Sequence, residues 1–555
     1  MRRLRLLTLL FILASPLPSA AQIATPAGVA LSPFPVLQTP SSFPTFAESE
    51  SGVWSVFIGE QPGSALYAQH MRDDGSWASG FTSAAISLTD PGTQVNGLSA
   101  CSDGLDGAVL TWFGVSPADS TSPFVALRYL HLFGDGTSPA AFRDTGIVVS
   151  NIASAAMVAS DGEGGAYVVW EELKGASNPD IYAQHYDYWG IPTWTPSGSP
   201  TGVPVCAVVG IQHLRALHSD GQGGAYVVWA DMRTANSAPL YVAHLGPNGV
   251  AGSPWTANGV RVTPATSGIR IVGSATSPAG GLWLAWRDLN QVNQVNGQHV
   301  APNASFRWAP FGAILATVTP LRADFVPGPS GQAFFTWGGS DIRCARLDST
   351  GVRMWSQEPT GRVIVTPPSG SLAVRAAPDG AFGQRIAWSF DNAGQSDVRM
   401  LHVDGAAAPW PGQSPVGDVF AGTLVPEEPV GWFTSASGDP ALAWLEAGTL
   451  RIRRLVTTSL GVDPTFESGG VALAPPYPHP LRDSRFTVRF AAPAGAARLE
   501  LFDMAGRRVA SRELWSTGGA QSVSWGDAVA LAPGVYALRL TAGAHTAHRR
   551  VVRLH

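Results

Sequence analysis

The 555-residue chain holds only three cysteines, a single lysine (Lys174) and 14% charged residues. Cys101, Cys206 and Cys344 are too few and too scattered for a disulfide framework, and they read as small buried apolar residues. Charge well below the usual quarter, beside 45% hydrophobic residues, excludes the low-hydrophobicity signature of an unfolded chain. Long runs of Ala, Glu, Lys and Leu are missing, which argues against helices. No nucleophile elbow, phosphate loop, His-Glu-x-x-His or Cys-x-x-Cys occurs, so the sequence points to no catalytic residue, metal or cofactor. What is plentiful is Gly (62), Pro (44) and Trp (19), with many Val, Thr and Tyr. That composition favours short strands joined by tight turns, an all-β class.

The N-terminus has a basic start, Met1-Arg2-Arg3-Leu4-Arg5, an apolar run from Leu6 to Ala14, and small residues up to Ala21. This is the pattern of a secretory signal peptide over residues 1–21, too short in its apolar part to span a bilayer. No cysteine lies near the cleavage site to carry a lipid, and no later segment is apolar enough to cross a membrane. Residues 22–40 read as a Pro/Ser-rich linker.

Self-similarity organises residues 41–474. Ser160-Asp161-Gly162-Glu163-Gly164-Gly165-Ala166-Tyr167-Val168-Val169-Trp170 returns as Ser219-Asp220-Gly221-Gln222-Gly223-Gly224-Ala225-Tyr226-Val227-Val228-Trp229. Weaker copies end at Trp112, Trp286, Trp337, Trp388 and Trp444, and the first ends at Phe57. After each anchor come an extended run such as Asp180 to His185, a polar turn usually followed by Trp, and a short apolar run such as Gly202-Val203-Pro204-Val205. Another run, such as Leu214-Arg215-Ala216-Leu217, opens the next unit. Four strands per unit of about 55 residues suit a β-propeller blade. Eight units predict eight blades, with a seven-bladed ring and one atypical unit as the alternative. The chain resembles the broad group of bacterial secreted β-propellers.

After residue 474 a proline-rich joint, Pro475 to Pro480, leads into a different pattern over residues 475–555. Strands are predicted at Arg485 to Phe490, Ala497 to Asp503, Val509 to Leu514, Gln521 to Trp525, Gly534 to Thr541 and His548 to Leu554, which suits a small immunoglobulin-like β-sandwich. Pro478-His479-Pro480, Phe486, Leu501-Phe502-Asp503-Met504-Ala505-Gly506-Arg507, Gly534-Val535-Tyr536 and Arg549 to Arg553 resemble the C-terminal sorting domain of type IX secretion substrates, which is similar to the immunoglobulin-like domain of flagellar hook-capping proteins. In that family Pro-Asn-Pro usually stands where this chain has Pro-His-Pro. The resemblance implies an address read by an outer-membrane translocon through Pro478, Pro480, Asp503, Gly506, Arg507, Gly534 and Tyr536, and a secreted or surface location in a Gram-negative-type bacterium. The alternative is an ordinary sandwich in which Asp-x-x-Gly-Arg is a hairpin turn.

Residues 478–555 carry 11 Arg against five acids, whereas residues 22–477 carry 21 Arg and Lys against 35 acids, a net −14. An acidic ring with a basic tail argues against nucleic acid as the partner. The repeated third-strand position reads His70, His131, His185, His244, His299, Arg346, His402 and Arg454. One donor per unit cannot converge on one ion, and Arg in two units fits hydrogen bonding between strands or blades instead. Ser-Asp-Gly-x-Gly-Gly offers mainly one Asp per copy, so it is turn chemistry and neither a calcium loop nor a sialidase Asp-box. The turns before Trp194 and Trp355 are irregular, so their Trp side chains pack between blades and do not bind a quinone. Loops after the anchors are longer in units two to five, which makes that side the candidate rim. Asp231, Arg233, Arg287 and Asp288 are the candidate ligand contacts there, with loop-ordering ion pairs as the alternative. Three functions follow: a binding protein for a glycan, peptide or envelope component, a secreted carbohydrate-active hydrolase or lyase using the channel mouth, or a structural and adhesive surface protein.

Overall fold

The computed structural model describes residues 29–32, 45–49, 52–59, 65–454, 472–473 and 486–553, apart from short segments that include 116–125, 174–177, 196–201, 291–293 and 504–505. All regular structure in these residues is strand. The fourth unit shows the pattern: Gln212–Ser219, Ala225–Asp231, Leu240–Leu245 and Val260–Arg261 pair antiparallel in sequence order. Such sheets of four recur eight times along residues 29–454. The first strand of each lies beside that of the next, and the eighth (Glu427–Thr434) lies beside the first (Thr45–Ser49). The fold is a β-propeller, with the first strands around the central channel.

The anchor residues mark the second strands. Trp112, Trp170, Trp229, Trp286, Trp337, Trp388 and Trp444 are buried. Phe57 earns its place as the first anchor because it stacks on Tyr67 across the strand pair, as Trp170 does on Tyr182 and Trp229 on Tyr241. Each second strand is buried on both faces, because its side chains fill the gaps to both neighbouring sheets. One core cluster combines Val169, Ile181 and Trp194 with Leu214, Val227 and Trp229, and the next combines Val228, Leu240 and Trp255 with Leu284 and Trp286.

The ends of the repeat array differ from the sequence-based boundaries. Residues 22–40 are more than a linker, since Val29–Ala30 pairs with Thr449–Arg454 and supplies the fourth strand of the eighth sheet. The Leu31 N–H donates to the Leu450 carbonyl (2.7 Å), and the Ser32 hydroxyl accepts the Leu450 N–H (2.9 Å). Leu31 is buried among Val53, Phe57, Ala443 and Ile452, so the two ends of the repeat array are clasped between the first and last sheets. At the other boundary, Ala472–Leu473 pairs with Phe486–Ala491 and belongs to the C-terminal module.

That module has two sheets, one of Ala472–Leu473, Phe486–Ala491 and Ala520–Trp525, and one of Arg508–Ser516, Gly495–Asp503, Gly534–Ala542 and His545–Arg553. Val488 and Phe490 from the first pack on Leu499, Leu501, Leu538 and Leu540 from the second. All six predicted strands are present within a few residues of their expected limits.

Candidate functional site

Sequential antiparallel strands put two kinds of turn on opposite faces. The first-to-second and third-to-fourth turns share one face; the second-to-third loops and the connections between sheets share the other. On the first face the repeated Asp and His are consumed by the scaffold. The Asp220 carboxylate accepts N–H groups of Gln222 (2.7 Å) and Gly224 (2.8 Å), and its other oxygen meets His244 Nε2 at 2.6 Å. Asp103 with His131 (3.0 Å), Asp161 with His185 (2.9 Å) and Asp379 with His402 (2.8 Å) repeat the pair. Burial pushes the Asp220 carboxyl up, but the hydrogen bonds from His244 and the two turn amides outweigh it and hold the group below its ordinary value.

The exceptions follow the same logic. In the sixth unit the Asp is missing, and Arg346 at the His position donates to Gln332 Oε1 through Nε (3.1 Å) and Nη2 (2.8 Å), while Nη1 reaches the Gly405 carbonyl of the next unit (2.8 Å). His131 likewise meets the Tyr188 carbonyl of the next unit at 2.9 Å. Trp194 and Trp255 donate across to the Pro247 (3.0 Å) and Pro302 (2.7 Å) carbonyls. This face is therefore a ring of cross-blade hydrogen bonds. Among the described residues no three His, Cys, Asp or Glu side chains gather where one ion could bind. Cys101, Cys206 and Cys344 are unbonded to one another, and burial pushes the Cys206 and Cys344 thiols up to about 12.

The opposite face carries the four candidate contacts at the ends of second strands. Asp231, buried, accepts from Trp229 Nε1 (2.8 Å), from Arg233 Nε (2.8 Å) and Nη2 (2.7 Å), and from the Arg233 N–H (2.9 Å). Burial pushes the Asp231 carboxyl up, and the bonds from Arg233 and Trp229 outweigh it and hold it below its ordinary value. Arg233 also donates to the Asn258 carbonyl (3.0 Å) and stacks on Tyr241 at 4.2 Å. Asp288 accepts from the Asn290 N–H (2.9 Å) and the Thr266 hydroxyl (3.1 Å). Asp231, Arg233 and Asp288 thus order their own loops. Arg287 is half-buried, directly across the strand pair from Arg270.

Arg270 and Arg215 are residues the loop-based reading passed over, because they lie on first strands, at the channel. Both are exposed. Arg215 sits at a bulge, unpaired between Leu214 and Ala216, and its Nη1 donates only to the Leu214 carbonyl (3.0 Å). Partial burial lowers the Arg215 pKa most, the Glu171 carboxylate raises it, and Arg270 lowers it by less than Glu171 raises it. Glu171, the nearby acid, already accepts the Leu214 N–H (2.7 Å) and the Ser154 hydroxyl (3.1 Å), with His213 at 3.5 Å. The signal available in the sequence was a single Arg in each of the first strands Gln212–Ser219 and Ile269–Thr276.

In the C-terminal module Asp503 and Arg507 close the hairpin between Gly495–Asp503 and Arg508–Ser516. The Asp503 carboxylate accepts the Arg507 N–H and Nε, both at 2.9 Å, and Gly506 takes a φ of 77°. Gly534 begins a strand, and the buried Tyr536 donates its hydroxyl to the Ala532 carbonyl (2.6 Å). Pro478 and Pro480 lie outside the described residues, as does the signal segment 1–21.

No protein-family model matches the chain, and no curated protein matches it. Among solved structures it is similar to Sqt1 of Chaetomium thermophilum (12% identity, 78% of this chain and 99% of that one, TM-score 0.39). It is also similar to puromycin hydrolase (13%, 75% of this chain, TM-score 0.38), of whose length it spans 62%. PorZ, a surface component of the type IX secretion system of Porphyromonas gingivalis, aligns over 95% of this chain and all of that one at 11% identity and TM-score 0.23. Similarities of this strength assign neither family nor activity, and the propeller fold rests on the sheet order and its closure.

Proposed function

We propose that the chain is a secreted or surface-displayed eight-bladed propeller that binds an extracellular glycan, peptide or envelope component at the channel mouth on its loop face, and that its C-terminal sandwich is the address for a type IX translocon. The observation that carries the binding reading is the contrast between faces. One face commits its repeated His and Asp side chains to the scaffold, while the other leaves exposed arginines of the fourth and fifth units beside the channel. A hydrolase would need a carboxylate pair across a cleft. Glu171, Asp231 and Asp288 at this mouth each hold scaffold donors, which favours binding over catalysis.

The test incubates the purified full chain with a panel of polysaccharides and peptides and records both retention and released products. Retention without products supports the reading; products that track the folded protein overturn it. The address reading is tested separately in the producing bacterium: removal of residues 475–555 should leave the chain in the periplasm, and undiminished export would sink it.

A further inference from the structure

We propose that Arg215, Arg270 and Arg287 form a subsite for a carboxylate group of the ligand at the channel mouth between the fourth and fifth sheets. This deepens the binding reading and rests on it for the ligand's overall class, which we take to be an acidic glycan. Three features carry it. First, the geometry gathers like charges. Arg270 and Arg287 are direct cross-strand partners and so project from the same face of the fifth sheet, and Arg215 lies on the first strand of the fourth sheet, which is the neighbour of the strand that carries Arg270. Like charges placed directly opposite destabilise a sheet, so an arrangement that folding alone would avoid points to a role outside folding.

Second, neither Arg215 nor Arg270 has a carboxylate in ion-pair contact among the described residues, whereas Arg233, Arg343, Arg362 and Arg451 each have one. Glu171 is the acid close enough to act on Arg215, and its oxygens are occupied by Leu214, Ser154 and His213. Third, the arginines stand out against the charge of the repeat array as a whole. A cationic spot on a repeat array of net −14 focuses anions at one place on the surface. Guanidinium forks match a carboxylate through two parallel hydrogen bonds, which is why arginine and not lysine suits such recognition.

Two arms test the subsite and the ligand class apart, both on the purified full chain. The first adds citrate and follows the melting temperature of the wild type, Arg215→Gln, Arg270→Gln and the double variant. Citrate should raise the wild-type midpoint and do so less in each single variant, with the excess gone in the double variant. Because Arg270→Gln relieves the cross-strand repulsion with Arg287, that variant should melt at or above the wild type without citrate. Equal citrate response in wild type and double variant overturns the subsite, whatever the natural ligand.

The second arm compares galacturonate oligomers with their methyl esters and with neutral galactose oligomers. The free acid should bind at least tenfold more tightly than the ester, with affinity falling as salt rises, and Arg270→Gln should abolish the preference. Equal retention of acid, ester and neutral forms leaves the glycan reading standing and rejects the carboxylate subsite. A citrate effect without retention of any oligomer keeps the subsite and rejects the glycan class.

Discussion

His218 illustrates how a single side chain couples this scaffold to pH. Its ring is partly buried, with Nε2 at 2.9 Å from the Ser274 hydroxyl, and burial lowers its pKa from 6.5 to about 4. The unfolded chain therefore takes up this proton at a higher pH than the folded one. Stability from the neutral ring is complete above pH 6.5, declines as pH falls, and is lost below about pH 4. The full difference is about 3 kcal/mol. Denaturant titrations at pH 7 and pH 5 should show the wild type losing more stability than His218→Asn. An equal loss in both would show that the ring does not titrate this way.

At the scale of the element, the repeat is held by a glycine and an indole. Gly259 precedes the fourth strand of its unit with a φ of 74°, and a Cβ there would fall well inside van der Waals contact of the Trp229 ring. Gly162, in the turn before its anchor strand, has a similar φ of 78° and nothing near. Gly162→Ala should thus cost only the left-handed backbone term, about 1–2 kcal/mol. Gly259→Ala adds overpacking of the core and should cost about 3 kcal/mol or more. Chemical denaturation of both variants checks this, and equal losses would show that the indole moves aside freely. Gly162 was visible as a turn glycine in the sequence, but the demand on Gly259 was not, because it depends on the distance between segments 30 residues apart in sequence. The strands themselves were legible for the opposite reason: a spacing of 51 to 59 residues between anchors and the turn chemistry around them are local facts.

Across the whole molecule, closure is the weak point of any ring, and here it depends on Val29–Ala30 and the residues beside it. Leu31→Ala should destabilise by about 2–4 kcal/mol by leaving a cavity between the first and last sheets. Its effect should exceed that of a similar truncation at the half-exposed Val148. If the two variants melt together, the strap does not hold the ring. The same clasp means that a fragment beginning after residue 32 lacks the fourth strand of its eighth sheet.

The sequence by itself determined the all-β class, the number and order of repeats, the four strands in each, and a separate six-stranded pattern at the C-terminus. These follow from periodicity and turn residues, which act between near neighbours in the chain. It also pointed to a hydrogen-bonding role for the repeated His position, which the Asp partners of His131, His185, His244 and His402 bear out. Only the tertiary structure decided that a segment read as a linker closes the ring, because a two-residue strand has no periodicity to detect. Only it decided which charges are spent and which are left over. Asp231 and Arg233 could be read as ligand contacts or as a loop-ordering ion pair, and the structure pairs them, while Arg215 and Arg270, 55 residues apart, lie on the first strands of neighbouring sheets.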